Sequence, residues 1–194
     1  TIGNYMMWRL ALSTSSLLSD KIRERRLEYI TSLTGVKKYQ ERWKECVSWS
    51  SSYLSIAASA LYIRNFFNQK SKDDALELVN SIRDEFENNL KSTEWMDSET
   101  RTAALEKAKK MKNFIGYPNE LKDDDKLIEY YENLEINNKE FFKSYLMLNR
   151  FSAKKEMAKF REPVDKEDWK DHSDVAIINA FYSPLENSIR KSLA

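Results

Sequence analysis

At 194 residues the chain is long enough for one domain, or a domain plus a segment of another, and a chain of this size can bury about 70% of its unfolded surface. Its 32 Lys and Arg face 31 Asp and Glu, so no excess charge points to nucleic acid or to an anionic membrane as a partner. Three Gly and three Pro give too few turns for a sheet-rich chain, and the longest strongly apolar stretch, Ile56 to Ile63, falls far short of the roughly 20 residues that span a bilayer, so the expectation is a mostly helical body with no membrane contact by this segment.

Ile2, Tyr5, Met6 and Leu10 recur at helical spacing, and the four poor helix formers Ser13-Thr14-Ser15-Ser16 predict a break before Leu17, Leu18, Ile22, Tyr29 and Leu33 resume the pattern. Gly35 is placed to end that helix as a C-cap. Trp43, Val47, Ser50, Leu54, Ala57 and Leu61 follow at alternating steps of four and three, which predicts one continuous, central and most buried helix of about 20 residues. Ala75, Val79, Ile82, Phe86 and Leu90 form the next stripe, preceded by Asp73 and Asp74, whose charge suits a helix N-terminus.

Asp97 offers a carboxylate cap to a helix carrying Ala104, Leu105, Ala108 and Met111, with Gly116-Tyr117-Pro118 ending it. Asn137-Asn138-Lys139-Glu140 has capping-box spacing and predicts a last long helix through Phe141, Tyr145, Leu148 and Phe151 to about Phe160, before Pro163. From Val175 to Tyr182 the texture becomes β-branched and aromatic, which predicts one strand. A lone strand leaves its backbone groups unpaired, so the expectation is that its sheet is supplied from outside this chain.

A zinc hydrolase needs three protein ligands, commonly two of them His at i and i+4, and His172 is the single histidine here. Asp171-His172-Ser173-Asp174 therefore reads as a surface loop rather than a metal site, and no Gly-x-Ser-x-Gly elbow supports a Ser-His-Asp triad. The basic runs Arg23 to Arg26 and Lys107, Lys109, Lys110 and Lys112 are mixed with acids or lie on polar helix faces, as a solvated surface does. Glu162, Asp165, Glu167 and Asp168 read as caps of a short helix rather than as paired carboxylates for acid and base work. The one cysteine, Cys46, is compatible with a buried cytosolic thiol and with half of a disulfide, and the count does not decide.

Several stretches carry a family resemblance. Thr1-Ile2-Gly3-Asn4-Tyr5-Met6-Met7-Trp8-Arg9, Arg42 to Val47, Trp95-Met96-Asp97-Ser98-Glu99-Thr100-Arg101, Ile115 to Pro118, Pro163 to Trp169, and Ile178-Asn179-Ala180-Phe181-Tyr182-Ser183-Pro184 with Asn187-Ser188-Ile189 stand in the order of landmarks in neprilysin-type zinc metallopeptidases. The resemblance covers nearly the whole chain. The tail from Arg190 to Ala194 departs from the Phe-Pro-Ala continuation of that family.

In such peptidases the zinc-binding His-Glu-x-x-His helix lies beyond the Asn-Ala-Phe-Tyr strand. The resemblance therefore implies a non-catalytic segment, with no cofactor of its own and zinc held elsewhere in the parent enzyme. It also implies an edge strand that pairs with an extended peptide substrate, with Asn179 and Ala180 as the substrate-binding residues. Cys46 is implied as half of a disulfide with a cysteine upstream of the position equivalent to Thr1.

The reading is an all-α helical domain over 1–170, enclosing substrate, and a strand segment over 171–194 that belongs to the sheet of an absent catalytic domain. The implied partners are peptide substrates and the catalytic domain of the same protein, with the parent at the cell surface or outside the cell. The alternative is a stand-alone, non-catalytic helical module that binds peptides or proteins, supported by the unmatched tail alone.

Overall fold

The computed structural model describes residues 1–137 and 139–192, and among them lie eight α-helices and three short strands. Asn138 of the expected capping box, and Leu193 and Ala194 of the divergent tail, lie outside the described residues. The chain divides into two compact units, Thr1–Trp49 with Glu135–Arg150, and Ser50–Leu134 with the chain from Phe151 onward.

In the first unit, α1 (Ile2–Thr14) ends in a 3-10 turn at Ser15–Leu17, as the run of Ser and Thr predicts. Their hydroxyls turn back on the helix: Thr14 Oγ1 donates to the Leu10 carbonyl at 2.8 Å and Ser15 Oγ to Leu12 at 2.7 Å. The second helix, α2 (Asp20–Thr34), stops at Gly35, whose φ of 76° is the left-handed conformation a C-cap requires. Glu45 accepts from Arg23 and Arg42, each at 2.9 Å; partial burial pushes its carboxyl up, and the two guanidinium groups outweigh this and hold it below the usual carboxylate range.

The expected continuous central helix is in fact two, α3 (Arg42–Tyr53) and α4 (Ser55–Phe66), interrupted at Leu54, whose φ of −119° and ψ of 42° are not helical. The buried face also differs from the expected stripe. Trp43, Val47 and Leu61 are more than half exposed, whereas Ile56, Ser59, Ala60 and Ile63 are buried. The run Ile56 to Ile63 holds two overlapping stripes at helical spacing, and local periodicity cannot rank them. The partner decides: Ile56, Ala60 and Ile63 pack with Tyr117, Leu121 and Val175. Tyr131 Oη accepts the Ala57 N–H at 3.1 Å, which satisfies one of the free amides in the first turn of α4.

The long helix α5 (Gln69–Ser92) starts before Asp73 because Asn68 accepts the Lys70 N–H at 2.9 Å as its N-cap. Ala75 and Val79 are buried against Ile115, with Ile189 packed alongside, while Ile82 and Phe86 further along the expected stripe are exposed. The predicted Asp97 cap is present: its carboxylate accepts the Thr100 N–H at 2.8 Å and opens α6 (Ser98–Lys109).

That helix does not run on to Gly116. A strand, β1 (Lys112–Ile115), intervenes, and Gly116, at φ 75°, turns the chain out of it. A 3-10 turn at Asn119–Lys122 leads into the short α7 (Asp124–Tyr130), which periodicity over seven residues does not reveal. The last helix, α8 (Phe141–Ala158), ends two residues short of the expected Phe160. A 3-10 turn at Trp169–His172 precedes β2 (Ala180–Ser183) and β3 (Ser188–Lys191).

The expectation of a lone, unpartnered strand is corrected here. The three strands form one sheet in the order β1-β3-β2, with β3 parallel to β1 (Lys112 opposite Ser188) and antiparallel to β2 (Ala180 opposite Lys191). The strand is also shorter than the apolar stretch that predicted it, because Val175 is drawn into the α4 core instead. The divergent tail supplies Arg190 and Lys191 to the central strand.

Candidate functional site

The approach to β2 is pinned at its start. Ser59 Oγ on α4 accepts the Val175 N–H at 3.2 Å, and the Val175 side chain is 5% exposed in the core. Arg190 donates to the Asp171 carbonyl at 2.9 Å and pairs with Glu186 at 2.5 Å, which holds the Glu186 carboxyl below its usual range. Between these anchors the chain runs exposed through Ile177 and Ile178 to Asn179.

Antiparallel pairing alternates between residues whose N–H and C=O face the partner and residues whose groups face away. The Ser192 N–H donates to the Asn179 carbonyl at 3.0 Å, so in the register Phe181 opposite Arg190 the Phe181 groups face β3. Those of Ala180 and Tyr182 face the free edge. Asn179 reaches the same edge: its Oδ1 accepts the Ala180 N–H at 2.9 Å. The two predicted substrate-binding residues are thus adjacent on an exposed strand edge, and the Asn179 amide covers one of the edge donors. Such an edge can take a further extended strand through main-chain hydrogen bonds.

Three of the four acids around Pro163 act as caps or in an ion pair. The Asp165 and Asp168 side chains accept the N–H groups of Glu167 at 2.9 Å and Lys170 at 3.2 Å, while Glu167 pairs with Lys112. Arg25 pairs with Glu28 at 2.5 Å and Arg26 donates to the Tyr39 hydroxyl at 3.4 Å. His172 stacks on Phe114 with ring centroids 3.5 Å apart, and its Nε2 lies 3.0 Å from the Lys166 carbonyl, which can only accept, so Nε2 carries the proton. Cys46 is exposed on α3 as a free thiol. A cavity of about 490 Å³ between Tyr130, Trp169, Lys155 and Ile56 takes no lining residue from β2.

Among the described residues no group of three or more His, Cys, Asp or Glu is placed to hold a metal ion. None of the helices there is long and apolar enough to cross a membrane.

The model of peptidase family M13 matches residues 1–118. The chain belongs to peptidase family M13. This M13 chain is 41% identical to neprilysin-2 of Drosophila melanogaster and 37% identical to membrane metallo-endopeptidase-like 1 of Mus musculus, each over 97% of its length. It covers 26% and 25% of those two proteins, so it spans about a quarter of the relatives it matches. In three dimensions it resembles the Mycobacterium tuberculosis zinc metalloprotease ZMP1, solved with an inhibitor, at a TM-score of 0.77 and 27% identity, over 95% of this chain and 26% of that one. PepO of Lactobacillus rhamnosis matches at a TM-score of 0.78 over 93% of this chain and 28% of that one, and at 22% identity it speaks for the fold alone. The neprilysin-type resemblance carried by the motifs and the mostly helical architecture both hold for this M13 chain.

Proposed function

We propose that this M13 chain serves a zinc endopeptidase as its helical, substrate-enclosing portion and as the strand that receives the peptide. The observation that carries the reading is the free edge of β2, where the outward backbone groups of Ala180 and Tyr182 lie beside the Asn179 side chain. An extended peptide adds to that edge as a further strand, and the Asn179 amide exchanges the Ala180 N–H for the peptide backbone. In this reading residues 1–170 enclose the substrate and residues 171–194 lead into the catalytic domain, whose sheet continues this one. Zinc, the metal of the metalloprotease ZMP1, supplies Lewis-acid and water-activating chemistry in such an enzyme. Among the described residues of this chain no group is placed to hold that zinc.

The alternative of a stand-alone binding module rested on the divergent tail. Arg190 and Lys191 of that tail are built into the central strand, and nothing in their pairing sets them apart. The enzyme is placed at the cell surface or outside the cell, an oxidising setting in which Cys46, exposed on α3, forms a disulfide with an upstream cysteine of the longer protein. Non-reducing peptide mapping of that secreted or surface protein should find Cys46 cross-linked; a free Cys46 thiol there removes the assignment.

The substrate reading is tested by Asn179→Ala in the zinc-bearing peptidase. The change deletes a donor and an acceptor beside a desolvated substrate amide, and the expected loss in kcat/KM is roughly five- to 150-fold. Zinc content and melting temperature should hold, because the Asn179 carbonyl that pairs with Ser192 is kept and the side chain is exposed. An unchanged kcat/KM, or a loss that only tracks folded protein, defeats the reading.

A further inference from the structure

We propose that Asn187 is the positioning residue of this edge: it locks the register of the β2-β3 hairpin and the direction in which Tyr182 presents its outward backbone groups. The inference rests on the substrate reading of β2 given above. It starts from the requirement that register sets on a two-stranded edge. A slip of one residue would exchange the roles of neighbouring positions, turning the Phe181 groups outward and those of Ala180 and Tyr182 onto β3. The β2-β3 ladder is four residues long, and a bond from outside it adds to the hold on its register.

Asn187 closes the loop that begins at Pro184 and stands immediately before β3, with φ 53°, a left-handed conformation that Asn tolerates better than most residues. Its side chain has two ends and both are used. Oδ1 accepts from the Tyr182 hydroxyl at 3.0 Å, so the ring of one outward-facing residue is tied to the loop. Nδ2 donates to the Lys107 carbonyl at 2.9 Å, one of the carbonyls that the last turn of α6 leaves without a helical partner. The Asn187 carbonyl accepts the Lys112 N–H at 3.0 Å, where β1 begins.

One residue therefore joins β2, β1 and the end of α6. Fixing the Tyr182 ring restrains the Tyr182 backbone, and the bond to α6 restrains the loop from which β2 hangs. No other amide side chain of the hairpin bridges two elements in this way: Asn179, the only other one, bonds its own neighbour.

The test uses Asn187→Gly, which keeps the left-handed backbone without strain and removes both side-chain bonds. In the zinc-bearing peptidase this variant should raise KM for an extended peptide substrate and lower kcat/KM by roughly five- to thirty-fold, with kcat per zinc nearly kept. Tyr182→Phe, which removes one of the two bonds and keeps the ring, should show a smaller rise in KM, and the double variant should be no worse than Asn187→Gly alone. In the 194-residue chain itself, Asn187→Gly should speed hydrogen exchange at the Phe181 amide.

A merely structural role would lower the active fraction and leave KM in place. If Asn179→Ala lowers kcat/KM while Asn187→Gly and Tyr182→Phe leave KM unchanged, the positioning role is overturned and the edge reading stands. If Asn187→Gly quickens Phe181 exchange but neither it nor Asn179→Ala alters peptide hydrolysis, the edge reading has failed and this inference falls with it.

Discussion

Leu121→Ala should destabilise the chain by about 2–5 kcal/mol, the range for truncating a fully buried leucine when its surroundings relax only in part. Leu121 is 0% exposed although it sits in a four-residue 3-10 turn, because Ile56, Ala60, Ile63, Tyr117 and Val175 close around it. The substitution removes apolar contact from every side at once. Denaturant unfolding of the chain measures it, with Leu185→Ala as the control: Leu185 is 89% exposed and its truncation should stay within about 0.5 kcal/mol. A Leu121→Ala loss below about 1 kcal/mol would mean that this cluster is not the core of its unit.

Val175→Asp should cost several kcal/mol, because it puts an unpaired carboxylate among Ile56, Ala60 and Ile63 at a site 5% exposed. Burial raises the carboxyl's pKa in the folded state above its unfolded value of about 3.9. The sign follows from linkage: the unfolded state releases the proton first, so the penalty grows as pH rises from the unfolded value to the folded one, and is constant above. Below about pH 3.9 the variant should approach the stability of Val175→Ser measured under the same conditions. Equal stability deficits for the two variants at pH 7 would show that position 175 reaches water. On the substrate reading proposed above, the same substitution in the zinc-bearing peptidase should impair hydrolysis along with stability, since the buried Val175 side chain anchors the run that leads to Asn179.

Punctuation and capping were readable from local sequence because their physics is local. Gly35 ends α2 in the left-handed conformation that glycine enters without penalty, and Asp97 caps α6 through a side chain three residues from the amide it serves. The serine-rich break after α1 is of the same kind, since hydroxyls compete with the helix for carbonyls one turn away. The proposal of Asn179 and Ala180 as substrate-binding residues comes from the order of the motifs, and neither spacing nor composition distinguishes them from a strand end. Asn187 stood in the same motif run, but its two partners lie five and 80 residues away, and no local pattern announces either bond.

What neighbouring residues settle among themselves could be read from the chain alone: the stop of α2 at Gly35, the Asp97 cap that opens α6, the balance of charge, and the absence of a second histidine. Tertiary structure had to decide which of two overlapping stripes α4 buries, since both have helical spacing and only Leu121, Tyr117 and Val175 select between them. It also had to decide that Lys112–Ile115 is a strand, because a four-residue segment has no period to read and its partner, beginning at Ser188, is supplied by pairing across the chain. The free edge of β2 is settled at this second level. Alternation along the strand assigns Ala180 and Tyr182 to one side, and only the seating of β3 between β1 and β2 determines that this side is the open one.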